Sequence, residues 1–370
     1  MPSVKFVHNQ YLDRDGRAHR IGGVETYIRN LIPVCREAGF DVEIFQLSNC
    51  GFECDSDGAK IVGVPGSETD IPRLVARASQ KADFARDILL FATDFDIKKS
   101  RFHKVLAIQH GVAWDIPSQK SVGDGLNALA MVKGLLRTAT KYIRYKKCGH
   151  LVCVDYNFIN WYRTQVAHVD PCLHAIPNFS DIPAYQDRSR RDDVSILFAR
   201  RLVEYRGTRV FVAAIQAVMQ RYPSIRVTIA GEGPEEAWMR QQLSACKNVS
   251  FIRYDAGESL PIHQRHDIAV VPTLGSEGTS LSLLEAMAAG CAVIATYVGG
   301  MSNIVLDGYN GLLISPGAGP LTDALERLID DYDLRSALSR KAYETVEWSF
   351  SLTRWKARWR KLIQTVSEGA

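Results

Sequence analysis

The sequence predicts an α/β protein of two domains, each built on a parallel sheet covered by helices. Three observations predict it. The chain has 370 residues, more than one hydrophobic core ordinarily supports. Short apolar runs alternate with helical patterns from end to end, and such alternation leads to parallel sheets. Many of the runs are solidly apolar, as strands covered on both faces are.

Taken in order, the first series of strands is expected at 4–8, 42–47, 88–92, 105–110, 151–154 and 174–176. A helix is expected over 25–38. The polar stretch 177–193, rich in Pro, Asp and Arg, separates this series from a second and reads as a linker. The second series is expected at 195–199, 227–230, 249–252, 268–272, 292–295 and 312–314. These give an N-terminal domain, 1–180, and a C-terminal domain, 181–348. The tail, 349–370, carries Trp355 and Trp359 four residues apart, on one helical face; it is expected to cross back to the first domain. Open parallel sheets bind ligands outside the carboxyl ends of their strands, so chemistry is expected in those loops and in the crevice between the domains.

Composition excludes several classes. At 46% hydrophobic and 23% charged, the chain is of ordinary globular make-up. A net charge of +4 is too small to call for nucleic acid. The start lacks a cleavable apolar core, and no run reaches the roughly 18 apolar residues that span a bilayer. The eight cysteines show no C-x-x-C pair and no zinc-like spacing. They read as reduced thiols of a cytoplasmic protein.

The most informative stretch is 272–300, PTLGSEGTSLSLLEAMAAGCAVIATYVGG. A strand ends at Pro272, a loop of small residues follows, and a helix starts near Ser282. Gly278, Thr279 and Ser280 lie just before that helix, where backbone N–H groups and the helix dipole attract an anion such as a diphosphate. Glu277 in the loop and Glu285 in the helix are carboxylates able to hold a vicinal diol. Each alone has a plain structural reading: Ser282 with Glu285 spells a capping box, and Glu277 fits a solvated loop.

The ordered block resembles the signature of retaining glycosyltransferases of family 4, with the GT-B fold. That signature holds two glutamates separated by seven residues, followed by "EAMA-G", here Glu277, Glu285, Ala286, Met287, Ala288 and Gly290. Thr279 and Ser280 depart from it, standing where the family often has an aromatic residue and a second glycine. FARRLVEYRG, 198–207, resembles the family's "GRL…KG" segment. Arg201 then takes the place of the arginine and Arg206 that of the lysine, both contacts of the donor diphosphate in the family. Arg200 replaces the usual glycine. Gly22 and Gly23, before Val24 and Glu25, resemble the family's first-domain glycine pair that faces the donor. His110 matches a histidine that approaches the transferred sugar, with Trp114 and Asp115 shaping the acceptor side. Without the glutamate block, the basic loop, the glycine turn and the lone histidine each read as structural.

Weaker signals complete the pass. Gly231-Glu232-Gly233 resembles the family's "GxGP" turn but makes no complete G-x-G-x-x-G, and Asn178 resembles its linker "PN". Aspartate pairs one residue apart recur four times, of which only Asp94 follows a strand. Arg201 and Arg206 could do a metal's work, so neither metal nor cofactor is expected. Segment 125–154 has no acid and includes Lys133, Arg137, Lys141, Arg144, Lys146 and Lys147. The first four form one helical stripe, which suits either an anionic membrane surface or solvent.

The resemblance thus implies an enzyme moving a sugar from a nucleotide-diphosphate sugar to a hydroxyl of a glycan or lipid-linked saccharide, with retained configuration, as in polysaccharide biosynthesis. The expected setting is cytoplasmic, at the inner face of the membrane if the basic stripe binds it. A GT-B sugar-nucleotide epimerase, a dehydrogenase and a catalytically silent nucleotide-sugar-binding protein stay open as alternatives.

Overall fold

The computed structural model describes every residue except 21, 112–135, 137–138, 166–171, 189, 191–192, 255, 276 and 370. Trp114, Asp115, Lys133 and Arg137 lie outside the described residues. The rest divide into two compact units. One holds the described parts of Met1–His110, Gln119–Ile176 and Trp355–Ala370; the other holds those of Gly111–Ser118 and Pro177–Arg354.

The first unit runs β1 (Ser3–His8), α1 (Gly23–Glu37), β2 (Asp41–Ser48), β3 (Phe52–Ser56), β4 (Ala59–Pro65), α2 (Ile71–Ala78), β5 (Ile88–Phe91), β6 (Lys104–Gln109), β7 (His150–Cys153), α3 (Tyr156–Gln165) and β8 (Cys172–Ala175). Among the described residues these strands form a sheet of order β3-β4-β2-β1-β5-β6-β7-β8. All neighbours are parallel except β3 and β4. β1 and β5 are buried along their whole length, as apolar strands covered on both faces must be. α1 turns Tyr27, Ile28, Leu31, Ile32 and Cys35 onto the sheet at helical spacing.

The β3–β4 hairpin was not among the expected strands. β3 reads FECDS, polar at most positions and half exposed, and it lies antiparallel at the sheet edge. Edge strands need no apolar run, so periodicity gives little sign of them.

The C-terminal helix, Leu352–Glu368, turns Trp355 and Trp359 inward. Both stack edgewise on Tyr27, at ring distances of 4.8 and 6.0 Å. Trp359 Nε1 donates to the Tyr27 hydroxyl at 2.8 Å, which satisfies a donor that would otherwise be buried without a partner.

The second unit runs β9 (Ser195–Ala199), α4 (Thr208–Arg221), β10 (Arg226–Ala230), α5 (Glu236–Gln242), β11 (Val249–Ile252), α6 (Ser259–His263), β12 (Ile268–Val271), α7 (Leu281–Ala288), β13 (Ala292–Thr296), β14 (Leu312–Ile314), α8 (Ala318–Asp330) and α9 (Tyr332–Ser349). Its sheet has the order β11-β10-β9-β12-β13-β14 and every pairing is parallel. The two faces carry separate cores. Ile268, Val270 and Ile294 pack with α4 and α8 on one side. Ala269, Val271 and Val293 pack with α7 and α9 on the other. The direction of winding reverses between β9 and β12, the switch point at which open α/β sheets bind ligands. β9 and β12 pair at only two positions, Ile196 with Ile268 and Leu197 with Ala269.

Arg188, in the connection into this unit, caps two helices at once. Its guanidinium donates to the carbonyls of Gln264 (2.8 Å), Gly290 (3.0 Å) and Ala289 (3.0 Å), past the ends of α6 and α7. Those carbonyls have no partner within their own helices. Tyr332 donates back to the Arg188 carbonyl at 2.8 Å.

All eight cysteines are free, with Cys50 and Cys172 exposed. Among the described residues, no helix is long and apolar enough to cross a membrane.

Candidate functional site

The loops after β9 and β12, either side of the switch point, bring Arg200, Arg206 and Glu277 together. The loop after β9 is fixed by main-chain bonds from Arg200 N to Ala230 O and from Leu202 N to Glu232 O, both 2.9 Å. Gly231, at φ 136°, packs where a Cβ would strike the Arg200 carbonyl, so the "GxGP"-like turn holds this loop in place. The loop after β12 rests on Gly299, at φ 55°, where a Cβ would strike the Glu277 carbonyl. Gly300 N–H donates to that carbonyl at 2.9 Å. Leu274 N–H bonds to Tyr205 O at 2.9 Å, joining the two loops. Asn178 reaches in from the linker to donate to Thr279 O at 2.5 Å.

Between the loops the side chains converge on Glu277, which is buried. Its Oε2 accepts from Arg200 Nη2 at 3.0 Å and from the Thr273 hydroxyl at 3.1 Å. It also pairs with Arg206. Arg200 Nη1 donates to Thr273 Oγ1 at 2.6 Å. Burial draws Arg200 and Arg206 down to about 10, and their mutual repulsion adds to the effect on Arg206. Both remain cations at neutral pH. Two guanidinium charges therefore face one carboxylate, and the surplus suits an anion.

Arg201, which the resemblance matches to a diphosphate contact, is exposed. Gly278, Thr279 and Ser280 are buried just before α7, and Ser280 is its N-cap, with extended backbone. The capping box read from Ser282 and Glu285 is not formed, because the helix begins one residue earlier than expected. Instead Glu285 Oε2 accepts from Ser259 Oγ at 2.6 Å. The phenol of Tyr254 lies near both Glu285 and Arg200, whose charges act on it in opposite senses. Glu285 thus shares a neighbour with the arginine cluster.

Burial, with the nearby Asp181 charge, pushes the Glu285 carboxyl up to about 7, against the bond from Ser259. A carboxyl whose folded pKa lies above its unfolded value favours the folded state below the unfolded pKa. That advantage is lost as pH rises through the folded one. The contribution of Glu285 to the stability of ligand-free protein should therefore fall between about pH 4.5 and 7, and Glu285→Gln should remove it, a difference of a few degrees of Tm. Thermal melts of the two proteins across that range check this; parallel curves would refute it.

In the first unit His110 lies just past β6. Its Nε2–H donates to Ala92 O at 2.9 Å, and Tyr27 meets its ring edgewise at 5.1 Å. Burial holds the imidazole down to about 4, so it is neutral, with its Nδ1 lone pair free of a proton. Gly22 is the N-cap of α1 and Gly23 its first residue. The Glu25 carboxylate folds back over Gly22, where a Cβ would strike it. Glu25 Oε1 accepts from His8 Nε2 at 3.2 Å. Burial acts upward on Glu25, but the bond and charge of His8 outweigh it and hold the carboxyl below its usual range. Asp94, the one aspartate of the spaced pairs placed after a strand, is buried and accepts from the Tyr145 hydroxyl at 2.7 Å.

Sequence reasoning missed Thr273, Tyr254, Ser259 and His8 as members of these clusters. Each follows or ends a strand or starts a helix, a position that signals a site only once the sheet order is known.

Known proteins bear on this geometry. Residues 193–331 match the family described as Glycosyl transferases group 1. A D-inositol 3-phosphate glycosyltransferase of Pseudarthrobacter chlorophenolicus is 26% identical, over 91% of this chain and 88% of its own length. A phosphatidyl-myo-inositol mannosyltransferase of Mycolicibacterium smegmatis is 24% identical, over 89% and 87%. Among solved structures, sucrose-phosphate synthase from Thermosynechococcus elongatus superposes over 100% of both chains, with TM-score 0.78 and 18% identity. HepE of Anabaena, in complex with UDP-glucose, superposes over 98% of this chain and 99% of its own, with TM-score 0.71 and 15% identity. The second unit, with its arginines and glutamates at the switch point, is the part that the family match covers, and the fold of the whole is that of GT-B enzymes: this glycosyltransferase carries a Glycosyl transferases group 1 domain.

Proposed function

We propose that the chain moves a sugar, with retained configuration, from a nucleotide-diphosphate sugar to a hydroxyl of a glycan or lipid-linked saccharide. The observation that carries this is the pair of guanidinium groups, buried Arg200 and part-buried Arg206, on Glu277 beside the N-terminus of α7. Arg206, exposed Arg201 and the amides of Gly278–Ser280 would stabilise the departing diphosphate. Glu277 orients the donor sugar and Glu285 takes the ribose diol, ionising as a ligand forms hydrogen bonds to it. Neutral His110 serves the transferred sugar, and Gly22 and Gly23 allow close backbone approach to the donor. The arginines stand in for a metal. No protein nucleophile is assigned, and the leaving phosphate assists attack on the same face.

A thermal-shift screen of nucleoside diphosphates and their sugars tests the reading. A ligand at about 100 times its Kd adds roughly 2.7 kcal/mol of stability. The selected donor is then assayed with an acceptor panel, with and without EDTA, and the product anomer is read by NMR. An inverted product removes the retaining assignment, and activity lost in EDTA removes the metal-free one. Product formed without any acceptor would favour the epimerase.

A lipid-linked acceptor suits the basic stripe. Helical residues 139–145 present Lys141 and Arg144 with exposed Ile143, and Leu136 is likewise exposed. An apolar side chain set among cations matches an anionic bilayer surface. The protein should sediment with vesicles containing phosphatidylglycerol and less so at 0.5 M salt. Replacing Lys141 and Arg144 by Glu should abolish it. Equal sedimentation with neutral phosphatidylcholine vesicles would overturn the assignment.

A further inference from the structure

We propose that Arg200 is a positioning residue that locks the Glu277 carboxylate in the donor site. The inference rests on the reading that Glu277 orients the donor sugar. Arg200 stands where the family that the sequence resembles has glycine, so the contact belongs to this chain's own residues.

Its main chain is held on both sides. The Arg200 N–H donates to Ala230 O, continuing the β9–β10 ladder, and Gly231 closes on the Arg200 carbonyl. The side chain follows from there into the interior, with only 5% of it exposed. It makes two directed bonds, one to Thr273 Oγ1 and one to Glu277 Oε2. Thr273, itself fully buried, donates a hydrogen bond from its hydroxyl to the same Oε2. Arg200 and Thr273 thus hold one carboxylate oxygen from two sides. A planar guanidinium sets the direction of both bonds in a way that an ammonium does not.

The two arginines on Glu277 are not equivalent. The Arg206 side chain is 23% exposed and lies over the Tyr205 ring at 5.1 Å. It ends a short helical turn, Glu204–Arg206. It can turn to a phosphate when one arrives. Arg200 has no such freedom. A diphosphate placed beside Glu277 repels it, and transfer of Arg206 to the phosphate would strip the carboxylate of its other cation. A buried carboxylate left without a partner is costly. Arg200 supplies the charge that stays. Labour divides accordingly: Arg206 holds the diphosphate, and Arg200 holds the group that orients the sugar.

This division separates binding from turnover. Arg200→Gly, Arg200→Met, Arg200→Lys, Thr273→Val and Arg206→Met are compared with the unaltered enzyme. UDP and GDP affinity is measured by calorimetry, and kcat at saturating sugar nucleotide, with UDP-glucose and GDP-mannose as probes. Arg200→Gly and Arg200→Met should lower kcat at least tenfold and leave nucleoside diphosphate Kd within about threefold. Arg206→Met should do the reverse to Kd. Arg200→Lys should recover part of kcat, and Thr273→Val should lose several-fold. Combining Arg200→Met with Glu277→Gln should cost little more than Glu277→Gln alone, because the two act through one carboxylate.

The proposal is overturned if Arg200→Met weakens nucleoside diphosphate as much as Arg206→Met does, or keeps full kcat. If the glycine and methionine variants do not fold, the lysine and valine variants decide: full kcat in both overturns it. Glu277→Gln with normal turnover removes the reading of the site itself. Glu277→Gln impaired beside active Arg200 variants removes only the role given to Arg200.

Discussion

Glu277→Gln should reduce kcat about 10²- to 10³-fold, with the fold kept and the melting temperature lowered, because buried Arg200 loses its charge partner. The side chain is nearly isosteric, so packing survives. What is lost is the charge that Arg200, Thr273 and Arg206 jointly address. The amide presents one oxygen and one NH2 group where the site is built for an acceptor only. Buried Arg200 and part-buried Arg206 then face a neutral group, and one donor is turned against another. Removing a preorganised charge partner costs about 2.7–4 kcal/mol of barrier, which sets the range. Arg206→Ala should lose turnover by a comparable factor, with weaker donor binding as well. Steady-state kinetics with the donor selected by thermal shift gives both numbers. Turnover within threefold of normal for both variants would remove these residues from the chemistry.

Trp359→Ala should destabilise the first unit by about 3–5 kcal/mol, the usual cost of emptying a buried aromatic site. Trp359 is fully buried in the C-terminal helix, and it gives its one N–H to Tyr27. Deletion removes the ring from a cluster that also contains Trp355 and, through Tyr27, His110. With the role proposed for His110, the effect should reach catalysis as well as stability, because Tyr27 packs edgewise on the His110 ring. Trp359→Phe keeps most of the apolar contact and loses the hydrogen bond, so a loss near 1 kcal/mol is expected. Urea unfolding of the three proteins checks the order. A cost below 1 kcal/mol for the alanine variant would show that the helix docks through other contacts.

The parts legible in the sequence are those whose chemistry is local. The apolar runs that became β9, β10, β12 and β13 lie within one residue of their expected bounds, because strands covered on both faces leave little choice of residue. The loop and helix after β12 were legible for a related reason: a run of small residues before a helix has few other uses. What was not legible depends on direction. Arg200 and Arg201 are adjacent, and successive residues leaving a strand point to opposite sides. Nothing in the spelling FARRL says which one turns inward; here Arg200 does, and Arg201 faces solvent. The β3–β4 hairpin escaped notice because an edge strand at the rim of a sheet carries no demand for apolar residues. Thr273, Ser259 and His8 escaped because each is ordinary in its own neighbourhood and acquires meaning only from a partner at least four residues and as many as 26 residues away.

The grip of Arg188 on the ends of α6 and α7 bears on where this protein can be cut. The family match begins at residue 193, which invites truncation there. A fragment starting at that point would lack the side chain that donates to three main-chain oxygens, and with it the Asn178 tether of the 277–280 loop. The autonomous body begins upstream of the recognisable one, and a soluble, well-behaved fragment should start no later than Pro177.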